Sequence, residues 1–382
     1  MALAAALLLT ACTHVNRGAG GRAAESVEGT LYDLEEIRAS GELIAVTISG
    51  PETYYEYKGR RLGLQYALAE NFAHTEGIKL RVEVVRDTLE LLRRVKQGDA
   101  DIAAMDFSAE VVCPDGLLFV CRDSMADKNV WAVREDAKEL YAALNNWYKD
   151  ETRTRLLAQE RRLFDHTEEK TRRKGRAPMQ NRSKGVISPY DALFMRHCGT
   201  AGWDWRLMAA QCRQESAFDP DARSWTGAAG LMQLMPETAA RYGLSASQTA
   251  DPDKNIAAAA RFIADLDRSF SDIKERSERI RFVLAAYNGG AGHIRDAMAL
   301  ARKYGKNSQR WSDVAPFVLR LSQPEYYNDA VVNCGYMRGA ETCAYVDDII
   351  SCWRDYQSAA PAGNMPLSSA AKQKKIKSRG GK

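Results

Sequence analysis

The chain has 382 residues, and 45% of them are apolar, which is enough to fill the cores of two domains. Its 54 basic and 50 acidic residues nearly cancel, so bulk charge does not favour binding to nucleic acid, and we predict no such partner. Eight cysteines suit an oxidising compartment, and their pairing is left open. The five histidines lack the spacing of metal ligands and no CxxC pair occurs, so we predict no metal site and no cofactor.

The N-terminus has the pattern of an export signal. Residues 1–9 form an apolar run that is too short to span a bilayer, and the tetrad LTAC follows and ends at Cys12. This tetrad resembles a bacterial lipobox, which implies acylation of Cys12 and makes residues 1–12 a lipoprotein signal. No Lys or Arg precedes the apolar run, which leaves two alternatives: a true start upstream of Met1, or a simple signal peptide.

The residue after the lipobox bears on the destination of the protein. Thr13 stands where an Asp in many bacteria resembles an inner-membrane retention signal, so we expect the outer membrane. Acyl chains on a folded body give an anchored protein, which here would face the periplasm. Residues 13–29 are polar and Gly-rich and are predicted to form a tether.

Residues 30–148 have the hydrophobic pattern of a small α/β domain. The predicted elements alternate between strand and helix, at 43–48, 62–77, 80–85, 88–97 and 102–105. Such a β-α-β-α-β order predicts a small parallel sheet.

The motifs of this domain resemble those of the first lobe of family 3 solute-binding proteins, with SGEL at 40–43 and GDAD at 98–101. Only about 25 residues separate Met105 from the terminal-looking segment 130–148, so most of a second lobe is expected to be missing. Binding proteins close two lobes around their ligand. We therefore predict a scaffold or partner-docking role in preference to binding of an amino acid or muropeptide.

Charged residues dominate 149–186, which we predict to be a linker whose first part could continue as a polar helix. Residues 187–357 are predicted to form an all-helical domain, and the basic tail 358–382 is predicted to be disordered. The predicted helices of this domain lie at 190–197, 205–216, 236–242, 255–270, 277–287, 291–304, 311–319 and 346–356.

One helix of this domain carries a candidate general acid. Apolar residues recur at helical spacing from Trp205 to Ser216, and Glu215 lies at the end of this apolar stripe. Partial desolvation there would disfavour the charged form and raise the pKa of the carboxyl group. A carboxyl group that stays protonated near neutral pH can act as a general acid. From spacing alone, a last-turn Glu at the rim of the helix is the alternative.

Three motifs in order support the catalytic interpretation: the pair Glu215-Ser216, GLMQ at 230–233 and AYN at 286–288. Together they resemble the catalytic domain of soluble-type lytic transglycosylases. WSDV at 311–314 and the later tyrosines narrow the resemblance to the membrane-bound lytic murein transglycosylase F family. The resemblance implies an α+β multidomain protein, in which a solute-binding-like α/β domain precedes a helical, lysozyme-like catalytic domain of the goose type.

The resemblance also implies a reaction on peptidoglycan strands. Glu215 would protonate the glycosidic oxygen between N-acetylmuramic acid (MurNAc) and N-acetylglucosamine (GlcNAc), and its carboxylate would then take the proton of the muramoyl C6 hydroxyl. The product would carry a 1,6-anhydro ring. Asp219 and Asp221 flank Pro220, where short polar residues serve a turn, so neither is a second catalytic acid.

The residues that the resemblance places around the substrate have different expected tasks. Ser216 and Gln233 would hydrogen-bond the substrate or orient Glu215, and Met232 would form a wall of the cleft. The Tyr287 hydroxyl would point toward the acid, and Tyr345 resembles a tyrosine that lines the cleft. The full substrate-binding set is Ser216, Met232, Gln233, Tyr287, Asn288 and Tyr345.

Other functions remain open at this point. A hydrolytic muramidase of goose-lysozyme character would use the same cleft with a positioned water. A wall-binding scaffold would hold the glycan without cutting it, and a sensor would use the first domain. Partners in the cell-wall machinery are not indicated by any motif.

Overall fold

The structure is a computed structural model, and it describes residues 32–124, 126–174 and 179–360. The predicted signal at 1–12, the tether at 13–29 and the tail beyond residue 360 lie outside it. The described residues form two compact units, 32–168 with 272–343 and 169–271 with 344–360. No helix in the described ranges is both long enough and apolar enough to cross a membrane. The domain boundaries proposed from the sequence stay a prediction.

The first unit contains a mixed five-stranded sheet with strand order β4-β1-β5-β7-β6 and a separate β2-β3 hairpin. Its strands are β1 Glu42–Ile48, β2 Tyr55–Tyr57, β3 Arg60–Leu62, β4 Lys79–Val85, β5 Ile102–Ser108, β6 Leu117–Asp123 and β7 Lys128–Arg134. Strand β1 is parallel to β4 and β5, whereas β7 is antiparallel to β5 and β6.

The prediction of a parallel sheet is therefore confirmed for β1, β4 and β5, but it did not include the antiparallel strands β6 and β7. Only residues 124–127 separate β6 from β7 along the chain. A connection this short can join antiparallel neighbours but not parallel ones, which need a crossover of a dozen or more residues.

Helices cover both faces of the sheet. They are α1 Leu34–Ser40, α2 Leu64–Thr75, α3 Thr88–Lys96 and α4 Lys138–Trp147. Alternate residues of β1 point to two cores: Leu43 and Ala45 pack with α1, α2 and α4, while Ile44 and Val46 pack with α3. A strand buried on both faces has an unbroken apolar run, which is why β1 was identifiable from the sequence.

The charged segment that follows is helical for most of its length, as α5 Asp150–Lys174. The first part of α5 contacts the sheet domain through ion pairs and a hydrogen bond. Arg153 forms ion pairs with Asp106 at 2.7 Å and with Asp123 at 2.9 Å. Glu160 accepts a hydrogen bond from the Tyr55 hydroxyl at 2.9 Å. The helical continuation that the sequence left open is thus found.

The helical character of the later part of the chain is confirmed, but the short helix Pro324–Tyr327 was not predicted and the last helix begins seven residues before its predicted start at 346. The helices are α6 Asp191–Ala201, α7 Trp205–Ser216, α8 Pro236–Arg241, α9 Pro252–Ser269, α10 Arg276–Gly289, α11 Ala291–Lys303, α12 Trp311–Arg320, α13 Pro324–Tyr327 and α14 Gly339–Ala359. Helices α10 to α13 belong to the first unit. The second unit contains α6 to α9 and the part of α14 from Ala344 onward, and its core includes the fully buried Phe194, Met208 and Ile263.

Within the first unit, the segment between α13 and α14 contacts the carboxyl end of β1. The Ser49 hydroxyl accepts a hydrogen bond from the main-chain N–H of Tyr336 at 2.8 Å. The rings of Tyr55 and Tyr336 meet edge to face, with their centroids 5.1 Å apart. In open α/β sheets, ligands bind at the carboxyl ends of the parallel strands. Here a segment of the same chain occupies part of that edge.

Candidate active site

Helix α7 places Glu215 in its last turn. Asp204 caps the start of the helix by accepting from the N–H of Arg206 at 2.9 Å, and every residue from Trp205 to Cys212 is buried. The helix ends in two non-glycine residues with left-handed backbone, Ala217 at φ 55° and Phe218 at φ 66°. Such conformations cost a non-glycine residue free energy, although a left-handed residue is a common way for a helix to end. Glu215 itself is half-buried.

A hydrogen-bond chain holds the Glu215 carboxyl group. The Tyr345 hydroxyl donates to Glu215 Oε1 at 2.6 Å, and the Gln211 amide donates to the Tyr345 oxygen at 3.1 Å. Tyr345 is 5% exposed and Gln211 is fully buried. Because the tyrosine oxygen already accepts from Gln211, its own proton is directed to the carboxylate. The arrangement fixes one oxygen of Glu215 through a short, charge-assisted hydrogen bond.

Gln211 was missed by sequence reasoning. It lies one helical turn before Glu215, on the same face, in a stretch that is otherwise apolar. In the sequence, an amide side chain among apolar residues is the feature that could have indicated a role for Gln211. Its Oε1 is buried and has no hydrogen-bond partner among the described residues. A buried acceptor without a partner costs about 1–3 kcal/mol, which favours a role in orienting Tyr345 over a role in stability.

Ser216 and Met232 lie beneath the surface. Ser216 is 2% exposed, and its hydroxyl donates to the carbonyl of Cys212 at 3.2 Å. Met232 is fully buried, so its side chain is not a cleft wall in this structure. Burial and the neighbouring Glu215 charge raise the pKa of the Cys212 thiol, which therefore stays neutral. For Ser216 and Met232 this geometry favours a supporting role over the predicted contact with substrate.

Asn255 organises the loop that contains Gln233. Its fully buried side chain accepts from the N–H of Met232 at 2.8 Å and donates to the Ala229 and Thr249 carbonyls at 3.2 and 3.0 Å. Gln233 has a left-handed backbone at φ 46°, and its Nε2 donates to two carbonyls of the same loop. A substrate contact by Gln233 would therefore fall to its Oε1 atom.

Tyr287 and Asn288 are at the end of α10, and both are half-buried. The Thr342 hydroxyl donates to Asn288 Oδ1 at 2.8 Å. A Cβ atom on Gly289 would lie 2.3 Å from Met337 Cε and 2.8 Å from Thr342 Oγ1, so a larger residue would displace these two side chains. These residues belong to the first unit, and their convergence with Glu215 on one substrate stays a prediction.

The acidic residues after α7 have the turn role that the sequence predicts. Asp219 and Asp221 are exposed, and the Asp219 carboxylate accepts from the N–H of Asp221 at 3.0 Å. A different cluster of potential ligands lies in the first unit, where His293, Asp296 and Cys334 approach one another. Sequence reasoning missed this cluster because the cysteine comes from a distant segment.

The comparisons with known proteins identify the family of the chain. Residues 194–310 match the family model described as the transglycosylase SLT domain. A relative from Desulfosudis oleivorans, named membrane-bound lytic murein transglycosylase F, is 30% identical over 425 residues, which cover 84% of this chain and 91% of the relative. The chain belongs to this family. A second member of the transglycosylase F family, from Aeromonas hydrophila, is 26% identical over 414 residues, which cover 83% of this chain and 82% of the relative.

Membership of the transglycosylase F family confirms the enzyme class predicted from the motifs, a lytic transglycosylase of murein. Among solved structures, an inactive mutant of the lytic transglycosylase Slt from Pseudomonas aeruginosa matches with a TM-score of 0.33 and 26% identity. That match covers 44% of this chain and 24% of the Slt chain.

The hydrogen bond between Tyr345 and Glu215 leads to a prediction within the second unit. Tyr345→Phe is expected to lower kcat by roughly 10-fold to 100-fold with little change in KM, because a hydrogen bond to a charged group contributes about 1.5–3 kcal/mol. Tyr242→Phe is the matched control, since the Tyr242 hydroxyl also donates to a carboxylate, that of Asp265, at 2.7 Å. Initial rates of sacculus solubilisation measure both variants. Equal kcat values for the two variants would contradict the assignment.

Proposed function

We propose that the protein cleaves the β-1,4 bond between MurNAc and GlcNAc in peptidoglycan and leaves 1,6-anhydro-MurNAc ends. Glu215 serves as both the acid and the base. The observation that carries this proposal is the Glu215 carboxyl group, half-buried at the end of α7 and held through Oε1 by the Tyr345 hydroxyl at 2.6 Å. A carboxyl group held in one orientation can deliver its proton repeatedly to the same point.

In the first step, Glu215 donates its proton from Oε2 to the glycosidic oxygen. The bond from MurNAc C1 to that oxygen breaks, and GlcNAc leaves as an alcohol. Positive charge develops at C1 while Glu215 becomes a carboxylate. The Tyr345 hydroxyl stabilises this carboxylate through the hydrogen bond at Oε1.

In the second step, the C6 hydroxyl of the same MurNAc attacks C1. Glu215 takes the proton of that hydroxyl, and the new bond from O6 to C1 closes the 1,6-anhydro ring. The enzyme returns to its protonated state, and no water is consumed. One residue is thus sufficient for both proton transfers, whereas hydrolytic glycosidases use a pair of carboxyl groups.

The two acids that directly follow α7 in the sequence are not placed as the base that the hydrolytic alternative needs. Asp219 and Asp221 are the nearest acids in sequence, both are exposed, and the Asp219 carboxylate stabilises its own turn. A non-catalytic scaffold would not need a buried chain of hydrogen bonds that directs a tyrosine proton to a carboxylate. Both observations support the transglycosylase.

The proposed substrate contacts outside α7 are made by Gln233, Tyr287 and Asn288. The Gln233 Oε1 atom would accept from a substrate hydroxyl or amide, since its Nε2 binds the loop. Tyr287 and Asn288 are half-buried at the glycine-rich end of α10, and their side chains would contact the saccharide.

We assign a scaffold role to the sheet domain. The Ser49 hydroxyl and the Tyr55 ring contact the main chain and ring of Tyr336 at the carboxyl end of β1. A segment of the same unit therefore lies where a binding protein would hold a small ligand. This occupancy supports scaffolding in preference to binding of an amino acid or muropeptide.

The proposed location is the periplasmic face of the outer membrane, with acylated Cys12 as the anchor. The relatives are named membrane-bound. Cys12→Ser is expected to move the protein from the membrane pellet to the soluble periplasmic fraction, because an acyl chain supplies the binding. Immunoblots of both fractions measure this, with Cys343→Ser as the matched control. A pelleted Cys12→Ser protein would contradict the anchor.

Digestion of sacculi in ¹⁸O-labelled water tests the reaction type. A transglycosylase consumes no water, so the released muropeptides are expected to contain no label at MurNAc C1. Goose-type hydrolysis would place one labelled oxygen there. A labelled product would therefore replace the proposal with the muramidase.

A further inference from the structure

Three side chains with different ligand atoms meet in the first unit. His293 and Asp296 lie three residues apart on one face of α11, and Cys334 comes from the segment between α13 and α14. Each offers one ligand atom, and these atoms all lie within 4.8 Å of one another. His293 is 8% exposed and Asp296 is 3% exposed, while Cys334 is half-buried.

The main chain fixes this arrangement. Asp296 accepts from the N–H of Asn333 at 3.0 Å through Oδ1 and from the N–H of Cys334 at 2.7 Å through Oδ2. These bonds bring the segment onto the helix, and the Cys334 thiol also hydrogen-bonds the Asp296 carboxylate, so the two side chains already meet. A Cβ atom on Gly292 would lie 2.5 Å from Cys334 Sγ, so the thiol rests directly on the helix backbone.

The histidine supplies the observation that points to a ligand. His293 Nδ1 is buried and has no hydrogen-bond partner in the part of the chain that the structure describes. A buried polar atom without a partner costs about 1–3 kcal/mol. A bound cation would remove this cost.

We propose that His293, Asp296 and Cys334 bind one divalent cation of the zinc class. Nitrogen, oxygen and sulfur donors together select zinc or a similar transition metal over magnesium and calcium, which prefer oxygen alone. Zinc binds sulfur at about 2.3 Å and nitrogen or oxygen at about 2.0–2.2 Å, which sets tetrahedral ligand atoms roughly 3.3–3.7 Å apart.

The three ligand atoms, which lie within 4.8 Å of one another, would move closer to reach this geometry. A water would complete a four-coordinate shell. Binding converts the thiol to a thiolate and releases its proton to solvent.

The expected consequence is structural. The cation would join α11 to the segment that carries Tyr336, and Tyr336 contacts the carboxyl end of β1 in the same unit. Because a ligand that binds only the folded state stabilises it, zinc is expected to raise the thermal stability of the protein. This inference is independent of the proposed chemistry of Glu215.

Cobalt(II) and zinc(II) test the site in the full chain carrying Cys12→Ser, which removes a thiol outside the described residues. After chelator treatment under reducing conditions, one cobalt per chain is expected to give thiolate-to-cobalt charge-transfer absorption and visible ligand-field bands. Cys334→Ser is expected to abolish the charge-transfer band, and the control Cys343→Ser is expected to keep it. No band in the parent protein, or an unchanged band in Cys334→Ser, would overturn the proposal.

Alkylation of the parent protein keeps the test independent of how the variants fold. Zinc is expected to slow iodoacetamide labelling of Cys334 at least 10-fold while labelling of Cys343 stays unchanged, as read by peptide mass spectrometry. Equal labelling of Cys334 with and without zinc would overturn the proposal.

Discussion

Glu215→Gln is expected to lower kcat for peptidoglycan cleavage by about 10²–10⁴-fold, the range typical for loss of a general acid or base. The amide cannot donate the proton that the leaving oxygen needs. Its Oε1 can still accept from the Tyr345 hydroxyl, so the hydrogen-bond chain survives. The free energy of unfolding is therefore expected to change by no more than about 1 kcal/mol. The rate of muropeptide release from sacculi and a urea titration measure the two quantities.

Asp219→Asn is the matched control for Glu215→Gln. It makes the same carboxylate-to-amide change four residues further on, and the amide oxygen can still accept from the N–H of Asp221. The rate of muropeptide release by Asp219→Asn is expected to stay within a few-fold of the parent rate. A comparable loss in both variants would indicate a two-carboxylate mechanism, and retained activity in Glu215→Gln would contradict the acid assignment.

Gly230→Ala is expected to destabilise the protein by about 3 kcal/mol or more. A Cβ atom at this position would lie 2.2 Å from the Thr249 carbonyl oxygen and 2.3 Å from Asn255 Nδ2. The backbone is also left-handed, at φ 81°, which costs a non-glycine residue about 1–2 kcal/mol. Relief of the overlap would displace the Asn255 side chain and add about 1–3 kcal/mol. Catalysis should fall as well, since Asn255 holds the loop that contains Gln233.

Gly243→Ala separates backbone strain from overlap. Gly243 has the same left-handed φ of 81°, but a Cβ atom there would meet nothing within 4 Å. This variant is expected to lose only the conformational part, about 1–2 kcal/mol. Urea unfolding of the two variants measures the difference. Equal stabilities would show that the loop accommodates a methyl group and that Asn255 does not fix its position.

The sheet illustrates how far the sequence predicts this fold. Strands β1 and β5 were identifiable because their residues are buried on both faces and form unbroken apolar runs. Strand β6 was missed although its first five residues are all apolar, because the interval between Met105 and residue 130 was interpreted as the place of a missing lobe. The connection between β6 and β7 has four residues, which implies that the two strands are antiparallel. This connection can be recognised only when both strands have been identified.

In the candidate site, too, the sequence predicts local features but not the contacts between residues that are far apart in the chain. Glu215 was predicted from helical spacing, and its place in the last turn of α7 follows from that spacing. Its bond to Tyr345 joins residues 130 positions apart, so periodicity could not predict it and only the family resemblance indicated Tyr345. Gln211 and the His293 cluster were missed, because a buried amide or imidazole is informative only once its neighbours are known.

Ser216 and Met232 show where a motif and its geometry differ. Both residues belong to motifs of the family, but their side chains are 2% and 0% exposed. A motif indicates that a residue type is needed at a position without stating whether the side chain faces substrate or supports the backbone. Burial decides between these roles, and it requires the three-dimensional structure.

Mass spectrometry of the muropeptides released from purified sacculi shows directly whether Glu215 catalyses the formation of 1,6-anhydro ends. The parent protein and Glu215→Gln should be digested side by side under identical conditions. The parent protein is expected to release muropeptides lighter by one water than their reducing counterparts, and Glu215→Gln is expected to release almost none. Reducing ends from the parent protein, or anhydro ends released by Glu215→Gln at the parent rate, would contradict the proposed mechanism.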